Sequence, residues 1–69
     1  MKITMYELLG MVKDGKAPKT IMYGNRVWKL FENNDYYNKK LGIYLFDWFD
    51  DVHTLIDSLN DEVLIKVGD

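Results

Sequence analysis

Cysteine is absent from these 69 residues, which removes disulfides and thiolate metal sites and suits a reducing compartment. Histidine occurs once, as His53, so a conventional zinc site would need carboxylates for nearly every other ligand. Serine also occurs once, as Ser58. No glycine-rich phosphate loop and no nucleophile elbow surrounds it. The calcium-loop spacing of alternating aspartates with a distal glutamate is missing as well. No continuous apolar run follows the N-terminus or appears later, so the sequence predicts no signal peptide and no membrane span, and a cytoplasmic protein is expected. Together these absences leave no catalytic constellation, cofactor or metal site to expect, and the sequence predicts a non-enzyme.

What is present is apolar and aromatic: 48% and 14% of residues, respectively. That composition argues for one folded domain over residues 1–69 rather than for disorder. A chain this short buries a modest core, so self-association as a small structural homo-oligomer is one expected way of covering more surface.

The net charge of −2 conceals a division. Residues 1–40 carry eight Lys or Arg against four acids, and residues 41–69 carry Lys66 against seven acids. Such asymmetry selects partners rather than folds, although the two halves also attract one another within the domain.

Local signals order the chain. Thr4 and Glu7 have capping-box spacing, and Met5, Leu8, Leu9 and Val12 continue at helical period. Lys13 suits the last turn, Gly15 the stop, and Pro18 forbids continuation, which predicts a helix over about 4–14. Two runs rich in β-formers flank Gly24-Asn25, the signature of a two-residue hairpin. That turn would place Tyr23 opposite Arg26, Met22 opposite Val27 and Ile21 opposite Trp28. Ile21, Tyr23, Trp28 and Leu30 then share the better core face. Residues 32–42 are polar and rich in asparagine and read as a loop. A third strand is expected over Ile43–Phe46, and a last one over Glu62–Val67.

Between those strands lies "DWFDDVHTLIDSLND". At about 100° per residue, Trp48, Phe49, Val52, Leu55, Ile56 and Leu59 share one arc, and His53 falls at its border. The expectation is one amphipathic helix from Asp47 to Leu59, with Asp47 as N-cap. Its wet side would carry Asp47, Asp50, Asp51, Asp57 and Asp61. These acids are solvated capping charges on the bland reading. On the sharper one they form an acidic ridge that engages a basic protein groove by imitating phosphate spacing. Tyr36 and Tyr37, in the expected loop, are candidate partner contacts. Nucleic acid is the alternative partner, through Lys13, Lys16, Lys19, Lys39 and Lys40 with the two tyrosines as stacking residues. An isoelectric point near 5.2 and the lack of a nucleic-acid motif make that partner the lesser one.

The fold class expected is α+β: an N-terminal helix, three or four antiparallel strands, and an acidic helix before the last strand. Its core would centre on Leu8, Leu9, Ile21, Trp28, Phe49, Val52 and Ile56.

The stretches "YELLGMVKDGKAPKTIMYGNRVWKL", "YLFDW" and "LNDEVLI" resemble small uncharacterised proteins encoded in phages and prophages of Gram-positive bacteria. The shared features are caps, turns and core positions, and they carry over no ligand residue. The resemblance implies an accessory protein that binds a host or defence protein with a basic surface. An inhibitor of a nuclease such as a CRISPR effector is one such role.

Overall fold

Thr4 opens the first helix as its sequence signature requires. Its hydroxyl accepts the Glu7 N–H at 3.2 Å, and the Glu7 carboxylate accepts the Thr4 N–H at 3.0 Å. This computed structural model describes residues 1–49 and 51–66. In it, helix α1 (Met5–Lys13) ends at Asp14, ahead of Gly15 at φ +73°.

The sheet is larger than the sequence suggests. Strands β1 (Lys2–Thr4), β2 (Thr20–Tyr23), β3 (Arg26–Leu30), β4 (Tyr36–Asn38), β5 (Ile43–Tyr44) and β6 (Glu62–Ile65) pair antiparallel in the order β1-β6-β2-β3-β4-β5. The chain is thus α+β with an antiparallel sheet, but six strands among the described residues replace the three or four expected. Both unforeseen strands, β1 and β4, are three residues long, too short for alternation to register. They exist because partners are waiting: Ile3 lies opposite Val63, and Tyr36 opposite Leu30. The expected strand over Ile43–Phe46 is cut to two residues, because Leu45 already begins a helix. Val67, the expected end of the last strand, lies outside the described residues.

The hairpin forms in the expected register, with Ile21 opposite Trp28 and Met22 opposite Val27. Gly24 and Asn25 both take positive φ (60° and 59°), as a type I′ turn needs.

The single acidic helix does not form. Helix α2 (Leu45–Trp48) stops at Phe49, whose backbone is extended, and helix α3 (Val52–Asp57) starts afresh from Asp51. Asp51, not Asp47, is the side-chain N-cap: its carboxylate accepts the Thr54 N–H at 2.9 Å. The interruption lets Phe49 enter the core beside Tyr23, at 6.2 Å between ring centres. Leu55 is half-buried, whereas Val52 and Ile56 are 67% and 54% exposed. Expected as core residues, these two are surface residues. Trp48, on the same expected arc, is also exposed, lying edge-on to Trp28 beneath the Arg26 guanidinium.

Leu8, Ile21, Trp28 and Phe49 are buried as expected, and Leu9 is half-buried. The rest of the centre is Ile3, Met5, Tyr36, Leu45 and Val63. All the core side chains lie on one face of the sheet, under the helices. Among the described residues no helix is long and apolar enough to cross a membrane.

Candidate functional site

Alternation along β3 and β4 sends Trp28, Leu30 and Tyr36 to the core and Val27, Lys29 and Tyr37 to the other face. Among the described residues no helix covers that outer face. Phe31, Tyr37 and Tyr44 form an aromatic cluster on it. Ring centres lie 5.1 Å apart for Phe31–Tyr37, 5.0 Å for Tyr37–Tyr44 and 5.9 Å for Phe31–Tyr44. Phe31 is 46% exposed, and the two tyrosines are half-buried against it. Beside the cluster, a depression of about 960 Å³ is floored by Val27, Phe31, Tyr37 and Leu41.

Cations frame the depression. Arg26 and Lys29 come from β3, and Lys39 and Lys40 from the turn after β4. That turn is pinned by Asn38, which is buried. Its amide donates to the Val27 carbonyl at 3.1 Å, and its side-chain oxygen accepts the Leu41 N–H at 2.7 Å. Gly42, at φ +68°, closes the turn with an N–H to the Asn38 carbonyl. The lysines are therefore carried by a fixed backbone rather than by a loose loop. The ion pair seen among the described residues, Lys2–Glu62 at 3.7 Å, lies away from this site on the β1–β6 edge. Among the described residues no acid lines the depression itself, and Glu32 flanks only its aromatic end.

The residues expected to act together are separated. Of the five lysines, Lys39 and Lys40 reach the depression. Lys19 sits at the far end of the hairpin, where its carbonyl accepts the Leu30 N–H, and Lys13 and Lys16 lie at the end of α1. The tyrosine pair is split by the strand period. Tyr37 faces outward, but Tyr36 is fully buried and presents nothing to a partner. Its hydroxyl donates to the Pro18 carbonyl at 2.6 Å, and burial pushes its ionisation up to about 12. Lys29, Phe31 and Tyr44 were not singled out from sequence as site residues. The hairpin register sets Lys29 and Phe31 on the outer face, whereas Tyr44 joins them only through the β4–β5 pairing with Tyr37.

The acidic ridge is likewise divided. Asp47 is on α2 and Asp57 on α3, both exposed. Asp51 caps α3, and the Thr54 hydrogen bonds hold its carboxyl below the usual range. Asp61 accepts the Tyr23 hydroxyl at 2.6 Å. Asp50 lies outside the described residues. Beside these acids, Leu9, Phe46, Val52 and Leu55 line a shallow groove between α1 and α3.

His53 is exposed, and the Ser58 hydroxyl turns onto the Thr54 carbonyl at 2.9 Å, so no nucleophile–base pair is assembled there. No group of three His, Asp or Glu among the described residues is close enough to hold a metal. Asp35 has a carboxyl raised by burial, offset by the amides of Phe46 and Tyr36, which it accepts; its task is to tie β4 to α2.

No protein-family model matches the chain, and neither curated proteins nor solved structures show a significant match to it.

Proposed function

We propose that this chain is a non-catalytic binding module that holds an anionic partner on the uncovered face of its sheet. The observation that carries this reading is the aromatic cluster of Phe31, Tyr37 and Tyr44 beside Lys29, Lys39 and Lys40, on the face the helices leave open. Exposed aromatic surface ringed by like charges is costly to keep in water and gains most when a partner of opposite charge covers it. The chain's overall acidity does not oppose this, because Asp47, Asp51 and Asp57 belong to the helical layer behind the sheet. Retention on a polyanionic heparin matrix tests it. The unaltered chain is retained at low salt, and a Lys29→Glu, Lys39→Glu, Lys40→Glu variant elutes in the void; equal elution of the two refutes the reading.

A second reading rests on α2 and α3, where Trp48, Val52 and Ile56 are exposed beside Asp47, Asp51 and Asp57. Apolar side chains rimmed by acids suit a protein with a basic surface, the host or defence protein that the phage resemblance implies. Nuclease inhibition belongs to this reading. Its test is a Val52→Ser, Ile56→Ser, Asp57→Asn variant, which should lose inhibition of a purified basic target that the unaltered chain inhibits.

A further inference from the structure

Resting on the uncovered sheet face as the binding surface, we infer that its anionic partner is single-stranded nucleic acid. Two kinds of group sit side by side there and ask for two kinds of ligand group. Lys39 and Lys40 lie across the sheet from the start of β3, at one end of the face. Phe31 lies at the other end, and Lys29, Tyr37 and Tyr44 form one cross-strand row between, with both tyrosine rings against Phe31. Five residues of β3 and its extension separate the ends, about 17 Å at the strand rise. A polymer that alternates flat rings with negative charges matches that layout. Bases stack on the aromatic end while phosphates reach the lysines, with a few nucleotides spanning the face.

The competing anions match less of it. An acidic peptide would use the lysines but supplies no planar groups to three clustered rings. A duplex presents phosphates, yet its bases are already paired and stacked, so their faces are closed to Phe31 and Tyr37. Sequence selectivity is not expected, because neither the rings nor the lysines read base edges. Three lysines and Arg26 line the depression and bound the electrostatics. At about 0.7 counterions per phosphate contact on a single strand, log K should fall with log salt at a slope of about −2 with the lysines alone and about −3 with Arg26 engaged.

The test is a fluorescence-anisotropy titration at low salt of labelled ten-residue oligothymidine, oligouridine, a duplex of equal length and a polyglutamate peptide. Expected is saturable binding of one or both single strands, at least tenfold tighter than of duplex or peptide. Phe31→Ala and Tyr37→Leu should each weaken it on the order of tenfold. Tyr37→Phe, which keeps the ring, should bind as the unaltered chain does. Lys39→Gln with Lys40→Gln, on an exposed turn outside the core, should lower both affinity and the salt slope. Amide shift changes on titration should cluster at residues 27–31, 37–41 and 44. Whether the thymidine or the uridine strand binds more tightly assigns DNA or RNA.

Equal binding of duplex and single strand overturns the inference, as does insensitivity to the aromatic substitutions in folded variants. Peptide binding without oligonucleotide binding, lost in the lysine variants, also overturns it but leaves the binding face standing. Failure of every polyanion overturns both.

Discussion

Tyr36 shows how much one side chain can hold in a fold this small. It is buried from Cβ to hydroxyl, and its single polar atom is satisfied by the Pro18 carbonyl across 18 residues of chain. Tyr36→Phe removes that bond while keeping the ring, and should cost about 1 kcal/mol in urea unfolding. The phenol also links stability to pH. Its folded value is raised to about 12, against about 10 in the unfolded chain. Stability from this group is therefore complete below about pH 10 and lost as pH rises toward 12. Burial and the Asp61 carboxylate raise the Tyr23 phenol as well. In an alkaline titration followed by phenolate absorbance, the step that coincides with unfolding should lose one tyrosine's amplitude in Tyr36→Phe, with the Tyr23 contribution retained. Asp51 has the opposite sign. Its carboxyl is lowered by the Thr54 bonds, so the cap acts above the ordinary carboxylate range and fades as pH falls through the folded value.

At the level of elements, the interrupted helix and the pinned turn matter most. Were residues 47–59 one helix, Val52 and Ile56 would be core residues, and truncating either would cost several kcal/mol. With the break at Phe49, Val52→Ser and Ile56→Ser should each shift stability by no more than about 0.5 kcal/mol. Leu45→Ala, at the fully buried first residue of α2, should cost about 2–5 kcal/mol. Parallel denaturant melts of the three variants decide between the two arrangements. Asn38→Ala tests the turn. It strands the Val27 carbonyl and the Leu41 N–H, and should destabilise by about 1–3 kcal/mol. Hydrogen exchange should then accelerate at residues 39–42 beyond what the global loss explains.

The whole molecule is a sheet with two unlike faces, closed by its own beginning. Strand β1 pairs with β6, joining residues some sixty positions apart, while Met5 and Tyr6 donate their amides to the carbonyls of Asp61 and Leu59. Removing residues 1–4 would strip the buried Ile3, the edge strand and the cap of α1 in one step. Loss of a cooperative thermal transition is expected, read by circular dichroism. The short strands β1 and β5 at the two edges also limit pairing with other chains, which leaves the broad outer face as the surface most open to a partner.

Local chemistry was legible wherever a signal is complete within a few residues. Thr4 with Glu7, Gly15, and Gly24-Asn25 dictate a cap, a stop and a turn through backbone geometry alone, and the hairpin register followed from the turn. The division of charge between the two halves was equally plain. Four things were decided only in three dimensions. Residues 36–38 became a strand because β3 offered an edge, although Asn38 and the neighbouring polar residues favour a loop. Tyr36 and Tyr37, identical in sequence, parted because strand neighbours point to opposite faces. The arc from Trp48 to Leu59 satisfied helical period, but burying Phe49 against Tyr23 required an extended residue, and Asp51 offered a second cap from which to restart. The candidate site drew Lys29, Phe31, Tyr37, Lys39, Lys40 and Tyr44 from three strands and two turns. No local pattern joins them, because their proximity is a property of strand pairing and not of sequence spacing.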